Sequence, residues 1–93
     1  MIERLTLDQI GEHLQKIADG MSDQIGLART IGERDRRAEA VERVQRQVRH
    51  IRERTTTPLR AGVWLRTAIA LSDGWKITDL DRMHADRADR RGL

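Results

Sequence analysis

Cysteine is absent from this chain, and so are phenylalanine, tyrosine and asparagine. Without cysteine there are no disulfides, no thiol nucleophile and no Cys-type zinc site. The aromatics are Trp64 and Trp75 alone, so the core must be aliphatic, which suits helix packed on helix. Proline occurs once, at Pro58. β-branched residues do not alternate with polar ones as strands require, so a sheet protein is disfavoured. No apolar run approaches the ~20 residues of a membrane span. The start, Met-Ile-Glu-Arg-Leu, lacks the basic opening and apolar centre of a signal peptide, and a cytoplasmic location is the expectation. No glycine-rich phosphate loop is present, because the seven glycines are scattered.

What is there is charge, and it is arginine. The 93 residues carry 18 basic and 15 acidic side chains, a net of +3, with only Lys16 and Lys76 as lysine. Arginine presents a planar fork that grips carboxylate or phosphate in bidentate fashion. GC-rich codon usage is the competing explanation, and the missing Asn, Phe and Tyr fit it too. A chain of this length makes one domain with a modest core, and oligomerisation commonly helps such a core.

Hydrophobic spacing predicts an all-α fold. Thr6 to Gln9 has the pattern of a capping box. Leu7, Ile10, Leu14, Ile17 and Met21 then make one helical stripe, continued by Ile25 and Ala28, so a first helix is expected over about 6–30. Gly32 marks a turn. Val41, Val44, Val48 and Ile51 define a second helix over about 33–55, and two seams of similar length pack as an antiparallel hairpin. Thr57 and Pro58 open a third helix, 58–72. It carries apolar residues around nearly its whole circumference and is therefore expected to be buried. Ser72-Asp73-Gly74 supplies a stop, and Thr78 caps a short fourth helix over about 78–87, ahead of a frayed basic tail.

The densest chemistry lies on the second helix. On its wheel Arg36, Arg43, Arg46, His50 and Arg54 lie away from the Val/Ile seam. Glu33/Arg37, Glu39/Arg43, Glu42/Arg46 and Arg49/Glu53 are four apart and can pair within the helix. That leaves Arg36, Arg52 and Arg54 as the unmatched cations. The blander reading is a solvated, salt-bridged face. With no aromatics between these arginines, a stacking platform for single strands is disfavoured. Residues 5–14 resemble the first helix of a helix-turn-helix, but Gln15-Lys16-Ile17 continues the helix where the turn belongs.

Histidines 13, 50 and 84 lack metal-ligand spacing. Asp79, Asp81, His84 and Asp86 are clustered but are of the kind that cap and solvate a short helix, so neither metal nor cofactor is expected. Ser22 and Ser72 have no neighbouring base, and enzymatic activity is not expected. The leading functional expectation is a small non-enzymatic interaction protein that docks Arg36, Arg43, Arg46, His50, Arg52 and Arg54 on an acidic partner. Such a partner could belong to a nucleic-acid-handling complex, in the manner of small phage-type inhibitors and adaptors. The alternative is a DNA-binding regulator using the same face on phosphates, and third a structural subunit of a larger assembly. The surplus of apolar surface on the third helix predicts a homodimer with Val63, Trp64, Ile69 and Leu71 near its interface.

Overall fold

The computed structural model describes residues 4–91, with side-chain environments as far as residue 84. Within them the chain forms three α-helices: α1 (Leu7–Ile25), α2 (Ile31–Arg52) and α3 (Pro58–Arg91). α1 starts as its sequence dictates. Thr6 Oγ1 accepts from the Gln9 N–H at 3.2 Å, and Gln9 Oε1 accepts from the Thr6 N–H at 2.9 Å, which closes the capping box. α1 stops at Ile25, five residues short of the expected end. Thr30 is the reason: its side chain accepts from the Glu33 N–H at 3.0 Å and caps α2 there, which places Gly32 inside the first turn of α2.

α2 ends at Arg52 in a Schellman motif. The Thr55 N–H donates to the His50 carbonyl and the Arg54 N–H to that of Ile51. Arg54 holds φ at 60°, the left-handed conformation usually left to glycine.

The larger departure is in α3. The expected third and fourth helices are one continuous helix of 34 residues, running through Ser72-Asp73-Gly74. Thr78 caps nothing; its Oγ1 donates to the Gly74 carbonyl one turn back, as an internal helix residue does. Gly74 costs about 1 kcal/mol in a helix interior, but the core-facing residues keep phase across it. Ala61, Leu65, Ala68, Ser72 and Asp79 are buried and Trp75 is half-buried, at steps of four and three. The helix continues because each of these finds its contact only if it does. Nor is α3 buried all round: Leu59, Val63 and Ile77 on its other side are 83%, 53% and 62% exposed. The tail expected to fray lies largely among residues 85–93, whose side chains lie outside the described residues.

The core joins Ile10, Leu14, Ala18 and Met21 of α1 to Val41, Val44, Val48 and Ile51 of α2 and to Ala61, Leu65 and Ala68 of α3. α1 and α2 approach closely where Gly11 meets Ile51; a Cβ on Gly11 would stand 3.0 Å from Ile51 Cγ2. α1 lies against both other helices, while α2 and α3 touch each other least. That uneven packing leaves a groove between α2 and α3. Among the described residues no helix is long and apolar enough to cross a membrane.

Candidate functional site

The groove between α2 and α3 has a volume of about 780 Å³ and is lined by Glu33, Arg36, Arg43, Leu71, Trp75 and Arg82 among others. Its base is set by a residue the charge pattern alone conceals. Arg37 falls one turn before Val41 on the buried seam, so the helix points a guanidinium inward, where it is 3% exposed. Asp79, on the core stripe of α3, meets it in a bidentate pair at 2.9 and 3.1 Å. The remaining Arg37 donors reach the Gln24 carbonyl at 2.7 Å and Glu33 at 3.1 Å. Arg82 also donates to Glu33, at 2.9 Å. One buried guanidinium thus fastens the end of α1 and the start of α2 to the middle of α3.

Titration follows the same contacts. The hydrogen bonds that Arg37 donates to Asp79 raise it above its already high ordinary value, so it stays charged despite burial. Glu33 is held below the usual carboxylate range by the hydrogen bond from Arg82, with help from the Arg29 backbone N–H. The Arg37 guanidinium also stands 5.0 Å over the Trp75 ring, within cation–π reach. Trp75 therefore walls the groove.

The six residues expected to share one binding surface do not share one. Arg36 and Arg43, seven apart, lie on the edge of α2 that borders α3 and line the groove. His50, another seven on, follows the same edge, its ring 6.2 Å from that of Trp64. Arg46 is exposed but belongs to the back of the helix. Arg52 lies on the α1 side with Asp8, Glu12 and Lys16, where charge of both signs is mixed. Arg54 is not an unmatched cation: it pairs with Asp8 of α1 at 3.0 Å. Of the four intrahelical pairs expected on α2, Glu33 and Arg37 close at 3.1 Å. Among the described residues Arg43 does not reach Glu39, so the cation stays available at the groove rim.

The four expected interface residues divide as well. Val63 and Ile69 are exposed. Trp64 and Leu71 turn toward the core and pack against it. In the acidic cluster, Asp79 is taken by Arg37, and no group of His, Asp or Glu among the described residues could hold a metal ion.

Neither a protein-family model, a curated protein nor a solved structure matches this chain.

The feature that sequence reasoning missed is the Arg37–Asp79 pair, and its signal was present. Each residue continues its helix's apolar stripe in phase, Arg37 at the start of one and Asp79 at the end of the other. Two opposite charges on two buried stripes are the mark of a pair.

Proposed function

We propose that this protein is a non-enzymatic interaction module that seats an acidic segment of a partner protein in the α2–α3 groove. The observation that carries this reading is the pairing of an open cationic rim with an apolar wall. Arg36 and Arg43 are exposed and border the groove without a carboxylate partner among the described residues, while Leu71 and Trp75 are half-buried along it. Below the rim Arg37 and Arg82 are matched by Asp79 and Glu33, so the surplus charge is that of Arg36 and Arg43. Glu39, also on the lining, leaves the balance positive. Carboxylates steered by the rim would bring an apolar side chain onto Leu71 and Trp75, where desolvation supplies affinity. A phosphate backbone would use the same arginines but would leave the apolar wall unused, which ranks duplex DNA second.

Trp75 reports directly on occupancy. In a Trp64→Phe background, titration with a helical peptide rich in Glu and Leu should change Trp75 emission saturably. The affinity should fall with added salt, since exposed charges are screened beyond about 10 Å at 0.1 M. Arg36→Glu with Arg43→Glu should abolish binding and leave helicity intact, whereas reversal of Arg52 and Arg54 should have little effect. Salt-dependent binding of duplex DNA without peptide binding would replace this reading with the regulator. Binding of neither would remove the groove as a functional site.

A further inference from the structure

The outer face of α3 is laid out to meet a second copy of itself. Opposite the core stripe, residues 59, 63, 66, 70, 73, 77 and 80 follow one another at steps of four and three, the spacing of a coiled-coil seam. Leu59 and Leu80, at the ends, are 83% and 54% exposed; Val63 and Ile77, inside them, are 53% and 62% exposed. Isolated exposed apolar residues are ordinary on a surface; here two pairs of them, Leu59/Val63 and Ile77/Leu80, flank Arg66, Ala70 and Asp73 along one face. At ~1.5 Å per residue the stripe runs for about 32 Å, long enough for a helix-to-helix interface.

The order of residues along it is palindromic in chemistry. From Ala70 outward the pairs are Asp73 and Arg66 (three and four residues away), Ile77 and Val63 (seven each), then Leu80 and Leu59 (ten and eleven). An isologous two-fold contact requires this arrangement, because residue i of one copy meets residue j of the other and j meets i. Charge selects the orientation. Side by side in parallel, Arg66 would face its own copy and Asp73 its own copy. Run antiparallel, each Arg66 comes beside an Asp73 of the other chain, twice over. Arg66 also interacts within its own chain, and the partner carboxylate adds to that contact. Small Ala70 at the two-fold axis lets the helices approach closely.

We infer that the protein is an antiparallel homodimer through the outer face of α3, with its two-fold axis at Ala70. This does not rest on the groove reading: the groove lies on the other side of α3 and stays open in the dimer. Nor is it the interface expected from the apolar surplus of the third helix. Leu59, Ile77 and Leu80 join Val63, while Trp64 and Leu71 belong to the protomer's own packing.

Because the chain has no cysteine of its own, single-cysteine variants read the geometry. Mixed under mild oxidation, Val63→Cys and Ile77→Cys should give a disulfide-linked dimer on a non-reducing gel. Each variant alone should stay largely unlinked. In the antiparallel dimer two copies of position 63 are about 21 Å apart, far beyond the roughly 7 Å that a disulfide spans between Cα atoms. Linking of Val63→Cys to itself would mean a parallel pair and would overturn the proposal. In light scattering the wild type should weigh twice the 10.7 kDa chain mass, and Val63→Glu with Ile77→Glu should return it to one chain mass. Both positions are exposed in the protomer, so its circular dichroism should be unchanged. A wild type of single-chain mass at high micromolar concentration would also overturn the proposal.

Discussion

Arg37 is the residue on which the three helices converge, and its environment gives a sharp test. A buried guanidinium is tolerated because both of its terminal NH2 groups are answered: by Asp79 twice, by the Gln24 carbonyl and by Glu33. The charge costs desolvation, and its partners offset that cost only while they remain. Asp79→Asn keeps the shape and removes the charge. It should destabilise by about 3 kcal/mol, the low end for a broken buried pair, because Glu33 keeps its hold. Arg37→Met combined with Asp79→Leu should lie near the wild type in the same urea titrations, since an apolar pair needs no partner. A loss of the same size in the double variant would mean that the pair stabilises beyond its own neutralisation. Arg54 is the other residue under local constraint. Its left-handed backbone would suit glycine better, and its ion pair with Asp8, being largely exposed, returns little.

Among the elements, α3 decides the architecture. A broken α3 would end at Gly74; a continuous one carries Trp75 and Asp79 onto α2. The two alternatives answer differently to one substitution. A Cβ at Gly74 would meet nothing within 4 Å, so Gly74→Ala should raise stability by about 1 kcal/mol if the helix is continuous. If Gly74 were a left-handed cap, the same change should destabilise. Gly11→Ala is the control for a glycine that packing does require. The added methyl would press on Ile51, itself only 2% exposed. The helix-propensity gain should be outweighed, with a net loss of about 1 kcal/mol from overpacking. Thermal melts of the two variants should therefore move in opposite directions.

The whole molecule is long for its size. Its radius of gyration is 15.9 Å, against the ~12 Å expected of a compact domain of this length. The excess comes from α3, which outruns the hairpin it packs on. Among the described residues a core of twelve small and medium side chains holds the middle of the molecule, and the ionic cluster around Arg37 holds the end where α1 turns into α2. Acid should therefore loosen that end first. Glu33 is surrounded by Arg37, Arg82 and the Arg29 N–H, with Asp79 beyond, and its pKa is lowered on folding. A lowered folded pKa means stability that is fully present above about 4.5 and is lost as pH falls through the folded value. Glu33→Gln should flatten the stability-against-pH curve in that acid range and leave its slope near neutrality unchanged. An unaltered acid limb would place the titration elsewhere.

Much of this architecture follows from local sequence. The Thr6 capping box, the α1 stripe, the Val41-to-Ile51 seam and the Thr57-Pro58 start are each properties of a few neighbouring residues, and all appear where those residues put them. The helical period grouped Arg36, Arg43 and His50 with Arg46 and Arg54; the first three follow the α3 edge of α2, whereas Arg46 lies at the back and Arg54 pairs with Asp8. What tertiary structure decided were the points at which local preferences compete. Gly74 could end a helix or sit within one, and the contacts of Trp75 and Asp79 with α2 resolve it. Arg37 could be one more solvated cation or a buried staple, and only a second helix bearing Asp79 distinguishes them. Arg54 could remain an unmatched cation or find a carboxylate, and only the packing of α1 brings Asp8 to it. A helical period tells which residues share a face. It cannot tell what that face meets, because the partner lies up to 49 residues away along the chain and is brought close only by packing.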